Sequence, residues 1–268
     1  MRLRIDHRTL YAYASPLERG LQIVRLFPKR HDGQEIVRWR VLGARGQELA
    51  PFDDGLGNEA ALADAPPGAR RASIHVDGEV ETRDLGGFLN GAFEPLPPAY
   101  YMRSTDLTAP DPTIAALGAD LRGDDGARAI ALMHAVRDRM EFRVGATDAT
   151  TPAVEALAAG AGVCQDHAHV LAAACRAAGI PARYVSGYLW TGVEQEPASH
   201  AWAEVFIENA GWFGLDPANR IIVGAAHVRM ASGLDYAQAA PITGVRAGGG
   251  AESLTVTLGV HSAEHAQQ

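Results

Sequence analysis

The chain has 268 residues, 47% of them hydrophobic and 21% charged, an ordinary globular composition that is neither disordered nor fibrous. That length accommodates one large domain or two smaller ones, and two unequal parts are expected. A formal net charge of −8 and a pI near 5.7 exclude a sequence-independent nucleic-acid binder, which needs a basic face to displace phosphate counterions.

The opening residues MRLRIDHRTL scatter charge where a signal peptide needs an apolar core. No uncharged apolar run reaches the ~18 residues of a membrane span, so a cytoplasmic chain with no membrane partner is expected. Lys29 is the only lysine, against 23 arginines, which codon bias explains without function. Residues 1–95 read as a β-rich domain. Leu3, Ile5 and His7 alternate, LQIVRLFP, IVRWRVL and ASIHVDGEVET follow as strands, and the turn-rich pieces DDGLGNE and APPGAR separate them. The proline-rich EPLPPAY at 94–100 reads as a linker into a second part spanning 96–250.

Helical patterning begins near Thr113 and again at Asp125, where Ile130, Met133, Val136 and Met140 form one stripe. A further helix starts at Cys164 and ends before Gly179 and Pro181. ARYVSGYLW, SHAWAEVFIE and GWFGLD then read as strands. After the flexible AGGG, SLTVTLGV alternates Leu254, Val256, Leu258 and Val260, predicting a half-buried strand in a C-terminal segment of 251–268.

Cys164 and Cys175 lie eleven residues apart in one predicted helix, roughly 16 Å of rise, too far for a disulfide; both are expected as free thiols. Cys175 shares a helical face with Ala168 and Leu171 and reads as core. Cys164 opens the helix, where unpaired N–H groups and the positive end of the macrodipole favour an anion, so a thiol there ionises more readily. Gly160 and Gly162 allow a sharp turn and a close substrate approach, and the Cys164 amide is available to an oxyanion. These features suit a nucleophile and an ordinary helix start equally well.

A nucleophilic thiol needs a base and a group to orient it. His200 opens one predicted strand and Asp216 ends the next, sixteen residues on. A hairpin centred on Glu208 sets the two opposite each other on one face. The turn ENAG, centred between Asn209 and Ala210, sets them on opposite faces unless a β-bulge intervenes. Spacing alone leaves both open.

The runs GVCQDHAH, RAAGIPARYVSGYL, SHAWAEV and GWFGLDPAN, in this order over about residues 150–220, resemble the transglutaminase-like superfamily. The tail HVRMASGLDYAQAAPITGVRAGGG and the β-rich N-terminal part resemble its bacterial branch. The resemblance implies an α+β fold with a papain-like core, in which a cysteine-bearing helix packs on an antiparallel sheet. It also implies Cys164 as nucleophile, His200 as general acid/base and Asp216 as the orienting carboxylate. Amide chemistry through an acyl-thioester is expected, with a peptide or amide substrate, hydrolysis favoured over transfer to an amine acceptor, and no cofactor. The calcium-binding regions of animal transglutaminases have no counterpart, so no metal requirement is expected.

Two other readings remain. Cys164, His167, His200 and Asp216 contain suitable ligands for a zinc hydrolase, and the fold also suits a catalytically silent binding protein. His167 and His169 are expected at the site's rim or in local hydrogen bonds, His167 also as a neighbour tuning the thiol, and Asp166 as a first-turn acid. Trp202 alternates onto the face of His200, where it suits a shield for the imidazole or an aromatic packed between domains. Tyr188 and Trp190 are candidates for lining the site or for sheet packing. Gln165, a candidate second oxyanion donor, points about 100 degrees from Cys164 on a helix. The sequence assigns no role to the N-terminal domain and no oligomeric state.

Overall fold

The computed structural model describes residues 1–192 and 199–262. Arg2–Tyr13 alternates as expected, Arg2, Arg4, Asp6 and Arg8 outward and Leu3, Ile5, His7 and Thr9 inward. It lies inside a four-stranded antiparallel sheet ordered Glu252–Ser262, Arg2–Tyr13, Arg71–Thr82, Gln34–Leu42. A second four-stranded sheet runs Ile242–Gly248, Leu17–Val24, Glu59–Ala65, Phe52–Asp53. The two share a core of Leu3, Ile5, Val24, Val41, Ala61, Ala63, Ile74, Val76, Val80 and Val260, a β-sandwich.

Two strands of this sandwich come from the far end of the chain. Ile242–Gly248 was expected with the second part and Glu252–Ser262 as a separate segment; instead each forms an edge of an N-terminal sheet. Val260 is buried, but Leu254 and Val256, opposite Tyr11 and Thr9 at the sheet edge, stay 56% and 50% exposed, so the predicted half-burial holds only toward the strand's end. Residues 263–268 of that segment lie outside the described residues.

EPLPPAY is packed down: Glu94 pairs with the buried Arg183, and Pro98–Met102 forms a 3-10 turn that buries Tyr101. The helices Pro112–Ala116 and Asp125–Arg139 begin on Asp111 and Asp124, whose side chains accept from the amides of Ile114 and Ala127, both at 2.8 Å. The second helix buries Ala129, Leu132, Met133 and Val136, leaving Ile130 only partly covered. Ala153–Ala159, an alanine-rich helix without an apolar stripe, escaped the sequence reading. Cys164–Ala177 runs through the centre and is buried from Asp166 to Arg176. On one side it meets the other helices; on the other it meets an antiparallel sheet ordered Ile221–Ile222, Gly211–Asp216, Ser199–Ile207, Ala182–Leu189, His227–Gly233. The α+β architecture with a cysteine-bearing helix on an antiparallel sheet is therefore present. No helix among the described residues is long and apolar enough to cross a membrane.

The sandwich is joined to this sheet through the edge strand His227–Gly233. A sheet edge carries unpaired backbone groups that need partners when buried. Gln34 supplies both at one position, donating Nε2 to the Arg229 carbonyl at 2.9 Å and accepting the Arg229 amide at 2.8 Å. Asn58 does the same at Ser232, with distances of 2.9 and 2.8 Å. Tyr188, Trp190, Val228 and Met230 complete the sandwich core.

Candidate active site

Cys164 is the first residue of its helix and is partly exposed. Gly160, at φ 63°, ends the preceding helix in the left-handed region. At Gly162 a Cβ would lie 2.6–2.8 Å from the Asp166 side chain, so the bare glycine makes room for that residue. That carboxylate accepts the Val163 amide at 2.7 Å and the Thr147 hydroxyl at 2.6 Å, so Asp166 is a first-turn acid that fixes the helix start. The Cys164 amide, at the first helical position, needs no intrahelical acceptor.

His200 and Asp216 share a face, by a register between the two expected ones. Ala203 pairs with Leu215 and Ile207 with Gly211, which centres the hairpin on Asn209, a residue at φ 62°. Three loop residues, 208–210, keep the parity even, so Asp216 falls opposite Trp202, diagonal to His200 and on its face. His200 Nε2 donates to Asp216 Oδ2 at 2.7 Å, which leaves the other ring nitrogen, Nδ1, for the interaction with Cys164. Burial disfavours the charged imidazole, but hydrogen bonds to Asp216 and Cys164, and their charges, outweigh it and raise the His200 pKa to about 10. Burial likewise opposes ionisation of Asp216, yet its hydrogen bonds hold the carboxyl far below the usual range. The imidazolium is the counter-ion that a thiolate requires.

Two residues complete the carboxylate's environment that sequence reasoning did not assign. Asn219 donates its backbone amide to Oδ1 at 3.2 Å and its side-chain amide to Oδ2 at 2.7 Å, an arrangement foreshadowed only by the Asp-x-x-Asn spacing of LDPAN. His227 Nε2 lies 3.2 Å from Oδ2. Being on a different strand, it left no local signal. Tyr184 and Tyr236 pack beside Cys164 with Ala168 and Ala201.

Trp202, fully buried, sits with its ring 6.3 Å from His200 and edge-on to His227 at 5.3 Å. It fits because Gly187 beneath it has no side chain; a Cβ there would be 2.6 Å from the indole. Gln165 donates to the Ala149 carbonyl at 3.3 Å. Tyr188 and Trp190 are in the sandwich core, and the Tyr188 hydroxyl bonds His7 Nδ1 at 2.8 Å; they do not line the cysteine site.

His167 takes the second of its expected places, in local hydrogen bonds, and is not at the rim. It is fully buried under the helix, its nitrogens 2.9 Å from the Val163 carbonyl and 3.2 Å from that of Met140. The four-ligand zinc set is thus not brought together. His200, Asp216 and His227 do converge, with ligand atoms within 4.8 Å of one another. Their hydrogen bonding opposes a metal there: His227 Nδ1 accepts the Gly224 amide at 3.3 Å, which leaves the ring proton on Nε2, where a metal would have to bind. His169 Nε2 accepts the Tyr236 amide at 3.0 Å, and Cys175 is core, burial pushing its thiol up to about 12.

Residues 115–217 match the Transglutaminase-like superfamily and residues 3–81 the Bacterial transglutaminase-like N-terminal region. An uncharacterized protein of Mycobacterium leprae is 27% identical over 96% of this chain and 97% of its own. The protein-glutamine gamma-glutamyltransferase of Pseudomonas aeruginosa is 38% identical over 88 residues, 29% of this chain and 12% of that protein. Among solved structures, a candidate cysteine protease from Cytophaga hutchinsonii shares the fold at TM-score 0.79, with 23% identity over 98% of this chain and 91% of that one. With both regions matched in order, and the histidine of the core motifs interacting with both the aspartate and the cysteine, the chain belongs to the transglutaminase-like superfamily.

Proposed function

We propose that the protein is a thiol enzyme acting on amide bonds through an acyl-thioester on Cys164, with hydrolysis favoured over amine transfer. The supporting observation is His200, bridged between Cys164 at a helix N-terminus and the buried Asp216. The Cys164 thiolate attacks the amide carbonyl, and the Cys164 amide donates to the resulting oxyanion. His200, protonated, gives its proton to the departing amine as the C–N bond breaks, leaving the thioester. Neutral His200 then takes a proton from water, or from an amine, as that nucleophile attacks and expels the thiolate. Asp216 keeps the imidazole oriented throughout.

Water as the acceptor is supported by the fold likeness to a candidate cysteine protease along nearly the whole chain, whereas the likeness to a gamma-glutamyltransferase spans 88 residues. The test incubates the protein with a glutamine-containing peptide and methylamine and reads the products by mass spectrometry. Peptide cleavage or a free glutamate side chain supports hydrolysis; methylamide product identifies transfer. No product, together with Cys164 alkylation no faster than an ordinary thiol, would identify a silent binding protein.

A further inference from the structure

Asp216 is fully buried, and its Oδ2 accepts from His200 at 2.7 Å, Asn219 at 2.7 Å and His227 at 3.2 Å. A carboxylate turns about its Cβ–Cγ bond, and a turn that moves Oδ2 breaks the contact with His200. Asn219 sits in the turn directly after Asp216, on the same local segment. His227 reaches the same oxygen from the opposite edge of the sheet and is independently held. Its Nδ1 accepts the Gly224 amide at 3.3 Å, and its own amide donates to the Gly224 carbonyl at 3.0 Å. With Nδ1 an acceptor, the neutral ring carries its proton on Nε2 and donates to Asp216. The strand it opens is clamped by Gln34 and Asn58, and Thr82 donates to the Ala225 carbonyl at 2.5 Å.

We propose that His227 is a positioning residue that fixes the rotation of the Asp216 carboxylate and hence the orientation of the His200 imidazole, with the N-terminal sandwich as its anchor. The catalytic consequence rests on the thiol-enzyme reading above. The groups facing this pair are few. His200 meets Cys164, Asp216, the Asn219 side-chain amide at 3.3 Å and the rings of Trp202 and His227 at 6.3 and 6.1 Å. A cavity of about 40 Å³ beside His227 is also lined by His31, Arg83, Glu204 and Arg229. Glu204 and Arg229 are already paired there at 2.8 Å, so neither competes for Asp216.

The test compares wild type, His227→Leu, which removes the donor, and His227→Gln, whose side-chain amide can still reach Oδ2. The His200 titration is followed by NMR on protein labelled at histidine Cε1, and turnover is measured with p-nitrophenyl acetate. In His227→Leu the His200 midpoint is expected to fall from its raised value toward that of an ordinary imidazole, and kcat to drop about 10-fold with KM little changed. His227→Gln is expected to restore most of both. A midpoint identical in all three proteins, or one lowered equally by both substitutions, overturns the positioning role. A midpoint that moves as expected in a protein without turnover even as wild type upholds the positioning of the carboxylate while defeating the thiol-enzyme reading.

Discussion

Gln34→Ala tests whether the sandwich holds the strand that carries His227. Gln34 is 1% exposed and makes three hydrogen bonds: Nε2 to the Lys29 carbonyl at 2.9 Å and to the Arg229 carbonyl at 2.9 Å, and Oε1 from the Arg229 amide at 2.8 Å. Truncation orphans the edge strand's amide and carbonyl where water cannot easily replace the lost partner. At about 1 kcal/mol for each of three hydrogen bonds, the expected loss is about 3 kcal/mol, equivalent to a fall of roughly 6–12 °C in Tm for a chain of this size. Gln34→Glu keeps the shape but turns an oxygen toward two carbonyls, so it should cost at least as much. The assay is urea unfolding followed by far-UV circular dichroism and by tryptophan fluorescence, the latter drawing on Trp39 and Trp190 in or against the sandwich core and Trp202 and Trp212 in the other sheet. A loss below about 0.5 kcal/mol, the level of an ordinary surface substitution, would refute the reasoning and leave packing alone to join the two parts.

Cys164→Ala should abolish p-nitrophenyl acetate turnover and leave the urea midpoint almost unchanged, whereas Cys175→Ala, at a fully buried core position, should cost about 1 kcal/mol and spare turnover; equal activity losses that track unfolding would contradict this division. His7 and His169 have their pKa values lowered by burial, to about 4 and about 3, and so are neutral in the fold. The unfolded chain takes up protons below about pH 6.5, and stability should fall as pH drops from there toward 4, by up to about 1.4 kcal/mol per pH unit for each histidine; a urea midpoint flat between pH 7 and 5 would exclude it. The raised pKa of His200 acts with the opposite sign, its contribution complete below about 6.5 and lost as pH rises toward about 10. Arg183, with 0% side-chain exposure, holds Glu94 at 2.5 and 2.9 Å and Glu204 at 2.7 Å, its guanidinium 3.9 Å above the Trp212 ring. Arg183→Met strips a partner from a buried carboxylate and should cost about 3–5 kcal/mol in the same unfolding assay; a loss under 1 kcal/mol would mean that water reaches the pair.

Much of the candidate site was legible because its signals are local. Cys164 opens its helix and Cys175 is core because a glycine turn starts that helix, Gly179 and Pro181 follow its end, and the spacing between them is helical. The strands around His200 and Asp216 were visible through their alternation and motif order. Whether those two residues meet was not, since a one-residue change in hairpin register reverses a face; the left-handed Asn209 and a three-residue loop decided it. For His167, inside the GVCQDHAH run, the sequence left the rim and local hydrogen bonds both open; its position on the helix points it at the Met140 carbonyl and decides for the second.

By itself the sequence determined which residue types stand at helix starts, strand faces and turns, since hydrophobic period, capping and glycine conformation act over a few residues. Only the tertiary structure decided that the last strands complete the N-terminal sandwich, that Tyr188 and Trp190 belong to its core, and that Gln34 serves a strand 195 residues away. It likewise brought His227 to the carboxylate of Asp216 from across the sheet. Hydrogen bonds between distant segments depend on sheet order and register, which are fixed when whole faces pack together and leave no periodicity in either segment alone.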